Sequence, residues 1–166
     1  TSRGLGDVYK RQVFNSHVEF FSKMKKGTLY GLTPLVNETA CGPDFYEEAK
    51  KSGHYIELDP AMSMEEAKEY ANKMDVLYTD TWVDMEFFNN PAYQKQKEET
   101  LAKMMPYQLN GDFTKDSKAI VFHDMPMHVG FEISQDVVDK NLDHILDEAE
   151  NRRHAEKAVM YTLLNS

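Results

Sequence analysis

Along residues 13–166, short apolar runs alternate with segments whose apolar residues recur every three or four positions. Val13, His17, Phe20, Phe21 and Met24 stand at helical spacing, and Gly27 ends that helix. Leu29 to Leu32 reads as a short strand, followed by a loop in which Gly42-Pro43 introduces a charged helix, Asp44 to Ser52. His54 to Leu58 is a second strand. Ser63-Met64-Glu65-Glu66 has the form of a capping box opening a helix to about Met74, since a serine oxygen can accept from a first-turn amide while the glutamate reaches back. Asp75 to Thr79 and Ala119 to Phe122 are the third and fourth strands. Between them, Asn90-Pro91 caps a helix that Pro106 stops. Ile145-Leu146 reads as a short fifth strand before a last helix from about Glu148 to Leu164. Strands separated by amphipathic helices, without hairpin turns, predict an α/β fold: a doubly wound parallel sheet with helices on both faces. Ligands of such sheets bind beyond the carboxyl ends of the strands, so the loops after Thr79 and Phe122 are the places to look.

Composition narrows the function. The 166 residues hold 19 Lys+Arg against 28 Asp+Glu, a net charge of −9, which argues against tracking nucleic-acid phosphates. Cys41 is the single cysteine, so neither an internal disulfide nor a four-cysteine zinc site is available, and a reducing, cytoplasmic setting is expected. No apolar run approaches the roughly 20 residues that span a bilayer. Residues 1–12 end in Asp7-Val8-Tyr9-Lys10-Arg11-Gln12, which looks like a translated sequencing adapter. They are set aside as non-native, leaving residues 13–166 as one domain expected to be incomplete at its N-terminus.

Two loops carry the candidate chemistry. Asp80-Thr81-Trp82-Val83-Asp84-Met85-Glu86 follows the third strand, and His123-Asp124-Met125-Pro126-Met127-His128 follows the fourth. Each residue has a plain structural alternative: Asp80 as a turn cap, Trp82 as packing, His123 as a satisfied structural histidine. His123, Asp124 and His128 are also candidate metal ligands, without a recognised zinc spacing. Arg152, in Glu148-Ala149-Glu150-Asn151-Arg152, is a candidate planar cation for the same rim.

Taken in order, these segments resemble the ornithine carbamoyltransferases. Asn15-Ser16 resembles the end of the family's Asn-Asn-x-x-x-Ser segment. Asp75 to Met85 resembles the strand leading into Asp-x-Trp-x-Ser-Met-Gly, and Pro106-Tyr107-Gln108-Leu109-Asn110 resembles Tyr-Gln-Val-Asn. His123-Asp124-Met125-Pro126 takes the place of His-Cys-Leu-Pro, with Gly130-Phe131-Glu132-Ile133-Ser134 and Glu148 to Arg152 completing the series. The resemblance implies the second, ornithine-binding domain of an enzyme that moves the carbamoyl group of carbamoyl phosphate to the side-chain amine of ornithine, giving citrulline and phosphate. It implies no metal or organic cofactor, a homotrimer when full length, and a missing N-terminal partner domain holding the phosphate site. On the matching positions, Asp80 binds the α-amino group, the Asp84-Met85 loop closes over the substrate, the Met125 carbonyl orients the amine, and His123 and Arg152 hold the carbamoyl oxygen.

Three positions depart from the pattern. Asp84 stands for Ser, Glu86 for Gly and Asp124 for Cys. A carboxylate beside an attacking amine favours the charged, unreactive form unless the carboxylate itself takes the proton. Either Asp124 is that acceptor and ornithine is the substrate, or Asp84 and Asp124 recognise a different amine. A non-catalytic amino-acid-binding protein on the same scaffold is the alternative of another class. The chain alone is expected to be inactive.

Overall fold

The computed structural model describes residues 16–24, 26–32, 43–83 and 85–165. The first twelve residues, Asn15, Cys41 and Asp84 lie outside the described residues. The chain divides into two compact units, residues 1–62 and 63–166.

In the first unit, helix α1 (residues 16–24) precedes strand β1 (Leu29–Gly31), helix α2 (Pro43–Lys51) and strand β2 (Tyr55–Glu57). Gly27 adopts φ 74°, a conformation open to glycine at little cost, and so ends α1 as expected. The strands pair in parallel with Leu29 opposite Tyr55 and Gly31 opposite Glu57, and the helical crossover between them is what a parallel pair requires. Among its described residues, Val18, Ala49, Tyr55 and Leu58 are buried.

The second unit contains helix α3 (Met64–Ala71), strand β3 (Val76–Thr79), the short helix α4 (Met85–Phe88), helix α5 (Gln94–Met104), strand β4 (Ile120–His123) and helix α6 (Gln135–Leu164). The capping box forms as expected: Ser63 Oγ accepts from the Glu66 amide at 3.2 Å, and Glu66 Oε2 accepts from the Ser63 amide at 2.9 Å. Strands β3 and β4 are parallel, with Val76 opposite Ile120 and Thr79 opposite His123. Leu109, Val121, Ile133, Val137, Val138 and Ile145 form the core, with Leu77, Phe113 and Met127 packed against it. Asn141 of α6 accepts from the Val121 amide at 3.0 Å, covering part of the open edge of β4. Among the described residues the strands thus form two separate parallel pairs, in a partial α/β arrangement.

One expected element is corrected. Ile145-Leu146 is not a strand, and the last helix does not begin near Glu148; both lie inside α6, which runs unbroken for 30 residues. The physical reason is periodicity: Val137 and Val138 are buried, and Ile145, about two helical turns on, is buried on the same face, while Leu146 is exposed. Two adjacent apolar residues are too short a run to outweigh that pattern.

Candidate functional site

The register of β3 and β4 sets the geometry. Because Thr79 lies opposite His123, the next residues, Asp80 and Asp124, leave two neighbouring strands at the same level and the same carboxyl end. Asp80 Oδ1 accepts from the Thr81 amide at 2.6 Å and from the Thr81 hydroxyl at 3.2 Å, so its turn-capping role is realised. Burial raises its pKa from the ordinary aspartate value, and the nearby Asp124 charge adds to the rise, while the Thr81 contacts and His123 oppose it.

His123 is fully buried. Its Nδ1 accepts from the Met125 amide at 2.9 Å, so the proton belongs on Nε2, which faces Glu132 Oε1 at 3.3 Å. Glu132, also fully buried, accepts through the same oxygen from the His128 amide. The Glu132 carbonyl in turn accepts from the Leu109 amide at 3.0 Å, and the Ser134 amide donates to the Leu109 carbonyl at 3.0 Å, which ties Glu132 to the Gln108–Asn110 segment. Both nitrogens of His123 are therefore engaged within the protein. The residue that His123 holds, Met125, has φ 49°, a left-handed conformation uncommon outside glycine and one met at ligand-binding turns. The Pro126 carbonyl beyond it accepts from the Thr81 hydroxyl at 3.3 Å, linking the two loops.

Asp124 is the hub of the acidic side. Burial, together with the charges of Asp80 and Asp124, pushes the Tyr78 phenol far above its ordinary range. Burial, then its interaction with Asp124, pushes Glu148 of α6 up to about 7. None of the ion pairs among the described residues involves Asp80, Asp124 or Glu148. The chemistry open to this cluster is to hold a positively charged group and to take a proton from it.

The structure thus brings together Asp80, His123, Asp124 and the Met125 backbone. It does not bring Arg152 to them: Arg152 is exposed and its Nε lies 3.2 Å from Glu156 Oε1, one turn on along α6. Met85 opens α4 and is exposed. Trp82 is buried, as its packing alternative anticipates. The His123, Asp124 and His128 metal alternative does not form, and among the described residues no group of three or more His, Cys, Asp or Glu is placed to hold a metal ion. The reason is that both His123 nitrogens are occupied within the protein, while the His128 ring stacks on Phe88 with centroids 3.7 Å apart. Sequence reading passed over Tyr78, Glu132 and Glu148. A glutamate inside the apolar run Val129 to Ile133 was the available signal for Glu132, because a carboxylate there needs partners. For Glu148 the signal was its place three residues after the buried Ile145 on one helical face.

Comparison with known proteins gives the family. Residues 4–163 match the family model described as aspartate/ornithine carbamoyltransferase, Asp/Orn binding domain. The ornithine carbamoyltransferase of Chlorobaculum tepidum is 40% identical over 99 residues, covering 58% of this chain and 28% of that protein. The ornithine carbamoyltransferase of Pyrococcus furiosus superposes with a TM-score of 0.67 at 28% identity, over 88% of this chain and 44% of that one. The anabolic enzyme of Campylobacter jejuni shares the fold with a TM-score of 0.71 at 24% identity, over 92% of this chain and 48% of that one. The chain spans less than half the length of the curated relatives it matches. With a family match across nearly its whole length, and the acids and imidazole of β3 and β4 meeting at one rim, the chain belongs to the aspartate/ornithine carbamoyltransferase family, to its Asp/Orn binding domain.

Proposed function

We propose that residues 13–166 form the ornithine-binding part of a carbamoyltransferase that makes citrulline and phosphate from ornithine and carbamoyl phosphate, acting as a homotrimer when joined to a phosphate-binding domain. The observation that carries the reading is the register of β3 and β4, which sets Asp80 and Asp124 side by side with His123 beneath them. In the reaction the amine nitrogen attacks the carbamoyl carbon. A C–N bond forms, the C–O bond to phosphate breaks, and phosphate leaves with the electron pair. Attack requires a neutral amine, so an ammonium substrate must first give up a proton. Asp80 holds the α-amino group, while Asp124, in place of the family's cysteine, faces the side-chain amine. Through Met125, His123 fixes the backbone carbonyl that orients the amine. The Asp84-Met85 loop supplies the cover.

On the carbamoyl side the reading rests on the resemblance. His123 would have to turn Nε2 from Glu132, and Arg152 to leave Glu156, for either to reach a carbamoyl oxygen. A second reading, an amine more cationic than ornithine, is favoured by the carboxyls Asp80, Asp124 and Glu148, which form no ion pair among the described residues.

Calorimetric titration of the chain with ornithine, putrescine, lysine and agmatine tests both. Ornithine binding that weakens about tenfold or more in Asp80→Asn, as loss of a charge-assisted contact predicts, supports the first reading. Preference for another amine, with Asp80→Asn still weakening it, supports the second. Binding of none of them removes both.

A further inference from the structure

We propose that Thr81 is a positioning and specificity residue of this site: its one hydroxyl proton is shared between the Asp80 carboxylate and the Pro126 carbonyl. It thereby couples the group that takes the α-amino end of the ligand to the turn that faces its side-chain amine. The inference rests on the amine-binding reading above.

A threonine hydroxyl has one proton to give. Thr81 Oγ1 lies 3.2 Å from Asp80 Oδ1 and 3.3 Å from the Pro126 carbonyl oxygen. Both separations exceed the roughly 2.7–2.8 Å of a fully made O–H···O bond, so the proton stands between two acceptors and satisfies neither in full. Asp80 does not depend on it, because the Thr81 amide donates to the same Oδ1 at 2.6 Å. What the hydroxyl adds is reach into the second loop, 45 residues on. The strand register allows this, since Thr79 opposite His123 brings the residues after each strand out side by side. The turn that carries the Pro126 carbonyl is fixed at its other end: the Met125 amide donates to His123 Nδ1 at 2.9 Å, with Met125 held at φ 49°. A pull on that carbonyl therefore acts on a short turn beside Asp124, anchored to the end of β4.

Charge decides which acceptor wins. An ionised carboxylate outcompetes a neutral carbonyl for a hydroxyl proton. Once an ammonium group pairs with Asp80, that advantage shrinks and the proton passes to the Pro126 carbonyl, tightening the tie between the loops. The α-amino end of the ligand thus sets the span within which the side-chain amine is met. Such coupling sorts amines by length. Ornithine, whose two amines fit the tightened span, gains from it, whereas lysine, one methylene longer, does not. Thr81 acts through Asp80 and the Met125–Pro126 turn and is a positioning residue, not a catalytic one.

Two variants of the 166-residue chain test this: Thr81→Val keeps the amide contact and the branched shape but has no proton to share, and Thr81→Ser keeps the hydroxyl. In calorimetry, wild type is expected to prefer ornithine to lysine, Thr81→Val to lose about three- to tenfold in ornithine affinity with lysine little changed, and Thr81→Ser to keep the preference. Equal losses for both amines in Thr81→Val, or a preference lost in Thr81→Ser, overturn the inference. In amide NMR, ornithine should shift the Met127 amide, which shares its peptide group with the Pro126 carbonyl, in wild type but not in Thr81→Val. A wild type in which ornithine leaves Met127 unmoved overturns the coupling without any variant. Without ligand, Thr81→Val should titrate Asp80 at higher pH than wild type, because a donor to the ionised form is gone while Asp124 and His123, the charged groups facing Asp80, remain. An unmoved Asp80 overturns the sharing. If Asp80 moves as expected but the wild type binds neither amine, the fault lies with the amine-binding reading, and the inference falls with it.

Discussion

Burial against the ends of β3 and β4 decides how Glu148 responds to pH, and the sign can be worked out. Its folded value, about 7, lies above the ordinary 4.5, so the folded state holds the proton more tightly than the unfolded chain. That contribution is fully present below about pH 4.5 and is lost as pH rises through 7. Because the carboxyl is only partly shielded, solvent screening reduces the effect to about 1 kcal/mol. Glu148→Gln keeps the shape and removes the titration, so its stability relative to wild type should improve by about that amount between pH 5 and pH 8, as read from urea unfolding. Equal slopes in the two proteins would show that Glu148 ionises freely. The neighbouring His128 has the opposite sign: burial lowers its pKa, so its contribution is present above the ordinary histidine value and is lost as the solution is acidified.

Helices and strands were legible in the sequence where local chemistry specifies them. The Ser63–Glu66 box, Gly27 after α1 and the apolar runs of β3 and β4 each carry their own instruction, and each appears in place. Ser63→Ala should cost about 1 kcal/mol by leaving first-turn amides of α3 without their acceptor, and Ser63→Asp should restore most of it. Identical urea midpoints for all three proteins would mean that the box adds nothing to stability. Less legible was α6, because Ile145-Leu146 suits a strand as well as a helix until the burial of Val137, Val138 and Ile145 on one face is known. The site was half legible for a related reason. Asp80, His123 and Asp124 follow directly from strand ends, whereas Glu132 and Glu148 reach the cluster from a loop and a helix distant in sequence. Arg152 shows the converse: its motif was visible, but on a continuous helix its guanidinium has a closer partner one turn away.

At the scale of the whole chain, charge decides which substrate this protein can hold unaided. Carbamoyl phosphate brings a phosphate dianion, which needs several fixed cations or amide donors to be drawn from water. The cluster at β3 and β4 offers carboxyls and one imidazole whose nitrogens are engaged, and the sequence as a whole carries −9. The cations of α5 and α6 have other partners: Arg152 pairs with Glu156, Arg153 with Glu150, and Lys97 meets the Phe88 carbonyl and ring. The electrostatics favour an ammonium ligand and oppose an anion, so the two substrates of the proposed reaction should separate cleanly. In calorimetry the 166-residue chain is expected to bind ornithine but to show no carbamoyl phosphate binding tighter than about 1 mM, some 4 kcal/mol, and to form no citrulline from the two together. The phosphate site would then belong to the part of the relatives, more than half of their length, that this chain does not span. Micromolar binding of carbamoyl phosphate to the chain, or citrulline formation by it, would show that these residues assemble an anion site and would overturn the division of labour argued from their charge.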